Sequence, residues 1–328
     1  MQDTSTTEQE TTITQPTLAF KGQGSELFSI QIVNIALMLV TLGLYYPWAK
    51  AKNLQYIYRK TEMADSPFTF HGTGKEMFIG FIKGIGIFGV LYSVLIYGML
   101  QAQTDPGTYF ICLLIFLAGL SVLVPIAIHG MMRYRTSRTS WRGIHMGYRG
   151  TLGSMFKLFY LNLFLTIITF GIYSAWFTTN VRKEVFKNMR FGNAQFSYIG
   201  EGSELFVLNI KGYLLTIFTL GIYSFWWAKD LIHFYINNIL IEQDGKYSRL
   251  DSSLTGGQYF KLAVGNLLIM IFTLGLGYAW VVTRTMAAIV NNCEIIGEFN
   301  PDALAQTEED YKNATFEDMA DMMDIGLV

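Results

Sequence analysis

An ammonium group at the centre of a bilayer costs about 2.5 kcal/mol or more, so a lysine inside a long apolar stretch is a candidate for function. Two such lysines stand out here, Lys83 in Ile82-Lys83-Gly84 and Lys211 in Ile210-Lys211-Gly212. Each lies five residues after a phenylalanine, Phe78 or Phe206, that follows a glycine-rich turn. Five residues of helix rise about 7.5 Å, so either stem can snorkel to the interface or line a polar path. One residue deeper in equivalent stretches stand Asn34, Asn162 and Asn266, whose amides can hydrogen-bond between helices or touch a solute. Glu26, Glu76 and Glu204 fall in first turns, where a carboxylate suits the positive end of the helix dipole. As cation ligands they would mark the mouth of the same path.

Other chemistry is not spelled out. His71, His129, His145 and His233 show no metal-binding spacing, and Cys112 and Cys293 make neither a disulfide framework nor a metal-thiolate site. Gly22-Gln23-Gly24 and Gly200-Glu201-Gly202 lack the third glycine of a dinucleotide fingerprint. With no nucleophile triad, paired carboxylates or phosphate loop, the expectation is a non-enzyme without metal or cofactor.

These residues must be carried by unusually apolar elements. Of 328 residues 51% are hydrophobic and 15% charged, against about 25% charged in a soluble domain. That composition excludes a disordered or nucleic-acid-coating protein. Residues 27–49, 84–104, 158–181 and 262–283 are uncharged and long enough to cross about 30 Å of hydrocarbon as helices. A fifth stretch, 106–132, holds only His129, and a sixth, 206–228, holds Lys211. The prediction is an all-α integral membrane protein with about six transmembrane helices, interfacial helices and short β segments.

The charge is uneven. The first 20 residues are polar and acidic and read as a tail, with no signal-peptide pattern. From Glu298 onward nine acidic residues face one lysine, Lys312, so that tail carries −8 and the rest of the chain +7. It reads as a solvated extension or as a docking segment for a protein partner.

A repeat organises what lies between. Four T-[LF]-G-[IL] motifs begin at Thr41, Thr169, Thr219 and Thr273. Thirteen residues before each stands a phenylalanine (Phe28, Phe156, Phe206, Phe260), and seven after it a tryptophan (Trp48, Trp176, Trp226, Trp280). Glycine-rich starts near residues 22, 72, 150, 200 and 255 divide a membrane domain, 21–297, into five units between tails 1–20 and 298–328. The unit at Phe78 lacks the motif and is longer: Phe28 to Pro47 is 19 residues, Phe78 to Pro125 is 47. The difference reads as one added crossing, which would reverse the orientation of everything after it.

Each motif has an expected role. Gly43, Gly171, Gly221 and Gly275 permit a bend or break near a helix end, serving as hinges. The following tyrosines and the tryptophans Trp48, Trp176, Trp226 and Trp280 suit an interfacial aromatic belt. Segments after them, such as 176–190, fit helices lying in the interface. Ser25 and Ser203 are placed as N-caps, and Phe68-Thr69-Phe70 and Phe196-Ser197-Tyr198 read as brief strands that could pair with each other. With six simple spans the loops carry 13 basic residues on one side and seven on the other. The positive-inside rule then puts both termini outside and strands Arg182, Lys183, Lys187 and Arg190 on the wrong side.

Taken together, GQGSELFSIQIVN from Gly22, TLGLYYPWAKAKNLQYIY from Thr41, FTFHGTGKEMF from Phe68, and GEGSELF with TLGIYSFWWAK between Gly200 and Lys229 resemble the YjgN-type bacterial inner-membrane proteins. The resemblance covers roughly residues 20–298. It implies a multi-pass inner-membrane location and no assigned substrate or catalytic residue. The expected function is a transporter or channel-like module with a polar path marked by Lys83, Lys211 and the asparagines. The rival is a membrane scaffold or lipid-binding protein whose basic interfacial helices hold anionic lipids.

Overall fold

In the computed structural model, which describes residues 16–307, the chain runs strand, helix, helix, strand five times. The first round is β1 (Leu18–Phe20), α1 (Gly24–Val40), α2 (Tyr46–Lys60) and β2 (Thr61–Met63). The second is β3 (Ser66–Phe70), α3 (Gly74–Gln101), α4 (Pro106–Ser137) and β4 (Thr139–Trp141). The third is β5 (Ile144–Tyr148), α5 (Leu152–Ile168), α6 (Ser174–Lys187) and β6 (Met189–Phe191). The fourth is β7 (Ala194–Tyr198), α7 (Gly202–Phe218), α8 (Ser224–Asn237) and β8 (Ile239–Gln243). The last is β9 (Lys246–Ser252), α9 (Gly256–Phe272), α10 (Tyr278–Val290) and β10 (Cys293–Gly297).

All ten strands lie in one antiparallel sheet in chain order. Ala64-Asp65 and Asp244-Gly245, with both φ angles positive, close two of the strand pairs as two-residue turns whose hand matches the strand twist. A bridge between Thr17 and Glu294 brings the start of the sheet back to its end, so the strands form a nearly closed ring. The third residues of β2, β4, β6, β8 and β10 are Met63, Trp141, Phe191, Ile241 and Ile295, each no more than 4% exposed. They meet in one cluster, capped by Phe299 and Leu304 from the segment after β10. The ring therefore encloses packed side chains. The two strands read at 68–70 and 196–198 exist but do not pair with each other: β3 lies between β2 and β4, and β7 between β6 and β8.

The helices hang from this ring as five hairpins. Each helix packs on the one before and the one after it, α10 on α1 included, and among the described residues no helix packs extensively on one across the ring. The expectation of an all-α protein with six transmembrane helices is thus overturned. A ten-stranded sheet carries the helices, and among the described residues only α3 and α4, of 28 and 32 residues, are long and apolar enough to cross a membrane. The physical reason is folding-back. Apolar stretches 27–49, 158–181, 206–228 and 262–283 each bend double at the T-[LF]-G-[IL] motif, whereas 84–104 and 106–132 are separate full arms of one hairpin. The longer unit has not gained a helix. Its 28 extra residues are shared, α3 exceeding α1 by eleven and α4 exceeding α2 by seventeen. The helix pairs keep one direction from round to round, and Arg182, Lys183, Lys187 and Arg190 lie toward the ring end of the third hairpin, in α6 and β6.

The turns explain how the stretches double back. At the end of α1 the Leu42 and Gly43 amides donate to the Leu39 and Met38 carbonyls at 3.3 and 2.7 Å, a Schellman ending. Leu42 itself takes the left-handed conformation, φ 51°, and Gly43 follows at 89°. Leu44 then donates to Thr41 O, Tyr45 to the Thr41 hydroxyl at 3.0 Å, and Tyr46 to Gly43 O. Every amide through the turn is satisfied from within it. The same hydroxyl bond is made from Tyr173 to Thr169, Tyr223 to Thr219 and Gly277 to Thr273. Gly43, Gly171, Gly221 and Gly275 sit in these reversals at φ between 89° and 95°. We expect Thr219→Val to keep the shape of the threonine yet lower stability by about 1–3 kcal/mol, by orphaning the Tyr223 amide. The unfolding midpoint in lipid discs, against Thr219→Ser as a hydroxyl-bearing reference, reads this.

Candidate functional site

The spacing of phenylalanine and tryptophan is satisfied between hairpins. Trp48 stacks near Phe78 of the next hairpin, Trp176 near Phe206, Trp226 near Phe260, and Trp280 near Phe28, with centroids 4.9 to 5.7 Å apart. Each indole also fills a notch. A Cβ built on Gly74, Gly202, Gly256 or Gly24 would lie 2.3 to 2.6 Å from Trp48, Trp176, Trp226 or Trp280 respectively. The tryptophans thus key neighbouring hairpins together and close the circle from the last to the first. At the remaining junction the sequence replaces both members, with Ile126 at the tryptophan position and Leu152 at the glycine position.

The first-turn carboxylates belong to clasps within hairpins. Tyr56 donates to Glu26 at 2.9 Å and Lys60 lies 2.8 Å away; hydrogen bonds from Lys60 and then Tyr56 hold this carboxyl below its ordinary pKa. Glu76 accepts from Tyr134 and Arg138 at 3.2 and 3.0 Å and caps its own helix at Thr73. In the third hairpin Ser154 donates to Glu184 at 2.9 Å. Ser25 and Ser203 lie inside the first turns, and no side chain caps α1 or α7; the Tyr56 hydroxyl receives the Gln23 amide instead. In the fourth hairpin the clasp is missing. The position of Tyr56 and Tyr134 is held by Phe234, and Glu204 makes no hydrogen bond or ion pair among the described residues.

Here the candidate residues converge. A groove of about 570 Å³ between α7 and α8 is lined by Glu204, Val207, Lys211, Tyr223, Trp227 and Asp230, among others. Lys211 lies seven residues beyond Glu204, two turns along the same face, and is exposed with no hydrogen bond or ion pair among the described residues. Asp230 is paired with Lys229 at 2.5 Å. Trp227 lies across Gly212, where a Cβ would come within 2.4 Å, and its buried indole N–H has no acceptor. The groove is mostly apolar with one unpaired charge of each sign.

The other expected site residues lie elsewhere. Lys83 is half-buried in α3. Asn162 accepts from Asn180 at 2.7 Å and Asn266 donates to Thr285 at 3.0 Å, each joining the two arms of its own hairpin. Asn34 is 2% exposed with neither amide atom partnered. Among the described residues no three His, Cys, Asp or Glu side chains are grouped to hold a metal. His71 and His233 bond Ser140 and the Leu254 carbonyl, each at 2.7 Å, and His129 packs edge-on to Tyr148. The His145 ring lies 5.5 Å from His71, and burial, then His71, lowers its pKa. The sequence marked Tyr223 as an interfacial aromatic and did not mark Trp227 or Asp230. The signal was there: Trp227 stands where the other short hairpins carry Ala49, Phe177 and Val281, and Phe234 replaces a clasp tyrosine.

A nearly closed strand ring bearing apolar hairpins, one of them with arms long and apolar enough to cross a bilayer, is an arrangement that suits a membrane protein. The chain belongs to the family described as bacterial protein of unknown function (DUF898), whose model matches residues 15–199 and 230–322. It is similar to the inner membrane protein YjgN of Salmonella typhimurium strain LT2, 32% identical over 133 residues, which is 40% of this chain and 31% of that protein. The YjgN proteins of Escherichia coli O157:H7 and K12 are 28% and 26% identical over 149 residues, 45% of this chain and 35% of theirs. The matched region therefore spans about a third of these relatives. No solved structure matches the chain.

Proposed function

We propose that this protein is a lipid-embedded, lipid-binding platform of the inner membrane: the strand ring lies at the surface, four hairpins dip into one leaflet, and the α3–α4 hairpin crosses. The observation that carries it is the state of the short tips. Leu42, Phe170, Leu220 and Leu274 are 92 to 98% exposed and apolar, while the turn amides beneath them are satisfied internally, as backbone in hydrocarbon must be.

Depth follows from charge. Counted from the turn, the first arm of each short hairpin is free of charge for seven to fourteen residues and the second for four to eight, a first-arm reach of roughly 10 to 20 Å, about the depth of one leaflet. From Lys83 to Asp105 the long hairpin runs about 33 Å, a full hydrocarbon thickness. Its tip, unlike the other four, carries an aspartate, which caps α4 through Gly107 and Thr108 at 3.1 and 3.2 Å. The packed ring centre favours this reading over a channel along the axis. The hairpin ends, with apolar tips exposed and no extensive helix packing across the ring among the described residues, offer lipid both an outer and an inner face.

Single cysteines test the arrangement after Cys112 and Cys293 are replaced by alanine. Leu42→Cys and Leu220→Cys are expected to resist an impermeant maleimide from both sides of sealed vesicles, while Thr104→Cys reacts from the side opposite Lys246→Cys. Labelling of the short tips from the Thr104 side would show that those hairpins cross and would overturn the proposal.

A further inference from the structure

The fourth hairpin combines departures that meet in or beside one groove. Phe234 has displaced the clasp tyrosine and freed Glu204; Lys211 lies unpaired two turns further from the ring; Trp227 has filled the notch at Gly212. Resting on the lipid-bound reading above, we propose that this groove binds a phospholipid whose head carries both a phosphate and a primary ammonium.

Charge order along α7 supports that head. A phospholipid with its chains toward the hairpin tip has its amine nearest the ring, its phosphate deeper and its chains below. Glu204, in the first turn, faces the amine, and Lys211 the phosphate. The two backbone positions are about 10 Å apart along the helix, and the lysine stem, snorkelling toward the ring, shortens the gap between the charged groups to a head-group dimension. Below Lys211 the same face continues as Leu214 and Phe218, 52 and 80% exposed, which suits acyl chains. A carboxylate accepts hydrogen bonds only, so it favours a primary ammonium, with three donors, over a quaternary one with none. An anionic head would set its phosphate on Lys211 and leave Glu204 opposed by nothing.

The full-length protein, purified in detergent, is incubated with equimolar dioleoyl phosphatidylethanolamine, phosphatidylcholine and phosphatidylglycerol in mixed micelles, and retained lipid is quantified by mass spectrometry. Phosphatidylethanolamine should be retained about tenfold over the other two, the worth of one charge-assisted contact. Glu204→Gln should abolish the preference without abolishing retention, Lys211→Ala should lower retention of all three, and Lys83→Ala in α3 should change neither. Both groove residues are exposed, and circular dichroism of each variant confirms that the fold is kept. Equal retention of the three lipids by the unaltered protein, or a preference that survives Glu204→Gln, would overturn the inference and leave the lipid-embedded reading standing. Retention of no phospholipid at all would sink both.

Discussion

Replacing Trp141 by alanine is expected to cost about 3–5 kcal/mol, the usual loss for a large aromatic in a sealed core, and to open the strand ring. Trp141 is 1% exposed and sits in the cluster where all five rounds of the fold meet. Its indole N–H donates to the Met63 and Ser66 carbonyls at 3.1 and 2.9 Å, and its ring lies edge-on to Phe191 at 6.1 Å. Truncation removes the largest side chain at the centre and leaves two carbonyls without their shared donor. The strand cluster and the segment 299–307 that caps it are what join the five rounds across the ring, so a loss at its centre acts on all five. The denaturation midpoint in lipid discs measures it, and protease sensitivity at the Arg142-Gly143 turn locates it. A Trp141→Ala protein as stable as the parent would mean that the ring is held by its strands alone.

A comparable effect is expected from charge at the short tips. An exposed leucine on a protein in water is replaced by aspartate with a change usually within about 0.5 kcal/mol. In hydrocarbon the same aspartate costs about 2.5–3.5 kcal/mol. Leu42→Asp and Leu220→Asp, on the first and fourth hairpins, should each destabilise the protein in lipid discs by that larger amount and roughly twice it together. Asp105→Leu supplies the comparison, because that tip is read as lying at the far surface. It should cost only about 1 kcal/mol, the worth of a helix cap. Tip aspartates tolerated in the bilayer would place the short hairpins in water and refute leaflet insertion.

Much of the architecture was legible as pattern. The five glycine-rich starts coincide with the five rounds, and the Phe-to-Trp register is the register of the seams between hairpins. What the pattern did not disclose is which copy each residue serves. Phe28 and Trp48 belong to one unit, yet each meets a residue of a different unit, because the two arms of a hairpin place them on opposite flanks. Lys211 and Glu204 were recognisable candidates, but only the hairpin brings Tyr223, Trp227 and Asp230 to the same groove. Lys83, at the equivalent position five residues after its phenylalanine, is half-buried in α3.

Composition and spacing alone determined that the chain is apolar enough for lipid, where its charges stop, and that one building block recurs. How many of the described helices are long enough to cross was decided by the tertiary structure. Twenty uncharged residues reach about 30 Å as a straight helix and half that when folded double. The choice turns on a leucine taking the left-handed conformation, which costs a residue with a Cβ roughly 1–2 kcal/mol and is settled by the threonine and carbonyl bonds around it. Such a balance is struck by contacts within the folded turn, and residue type does not display it.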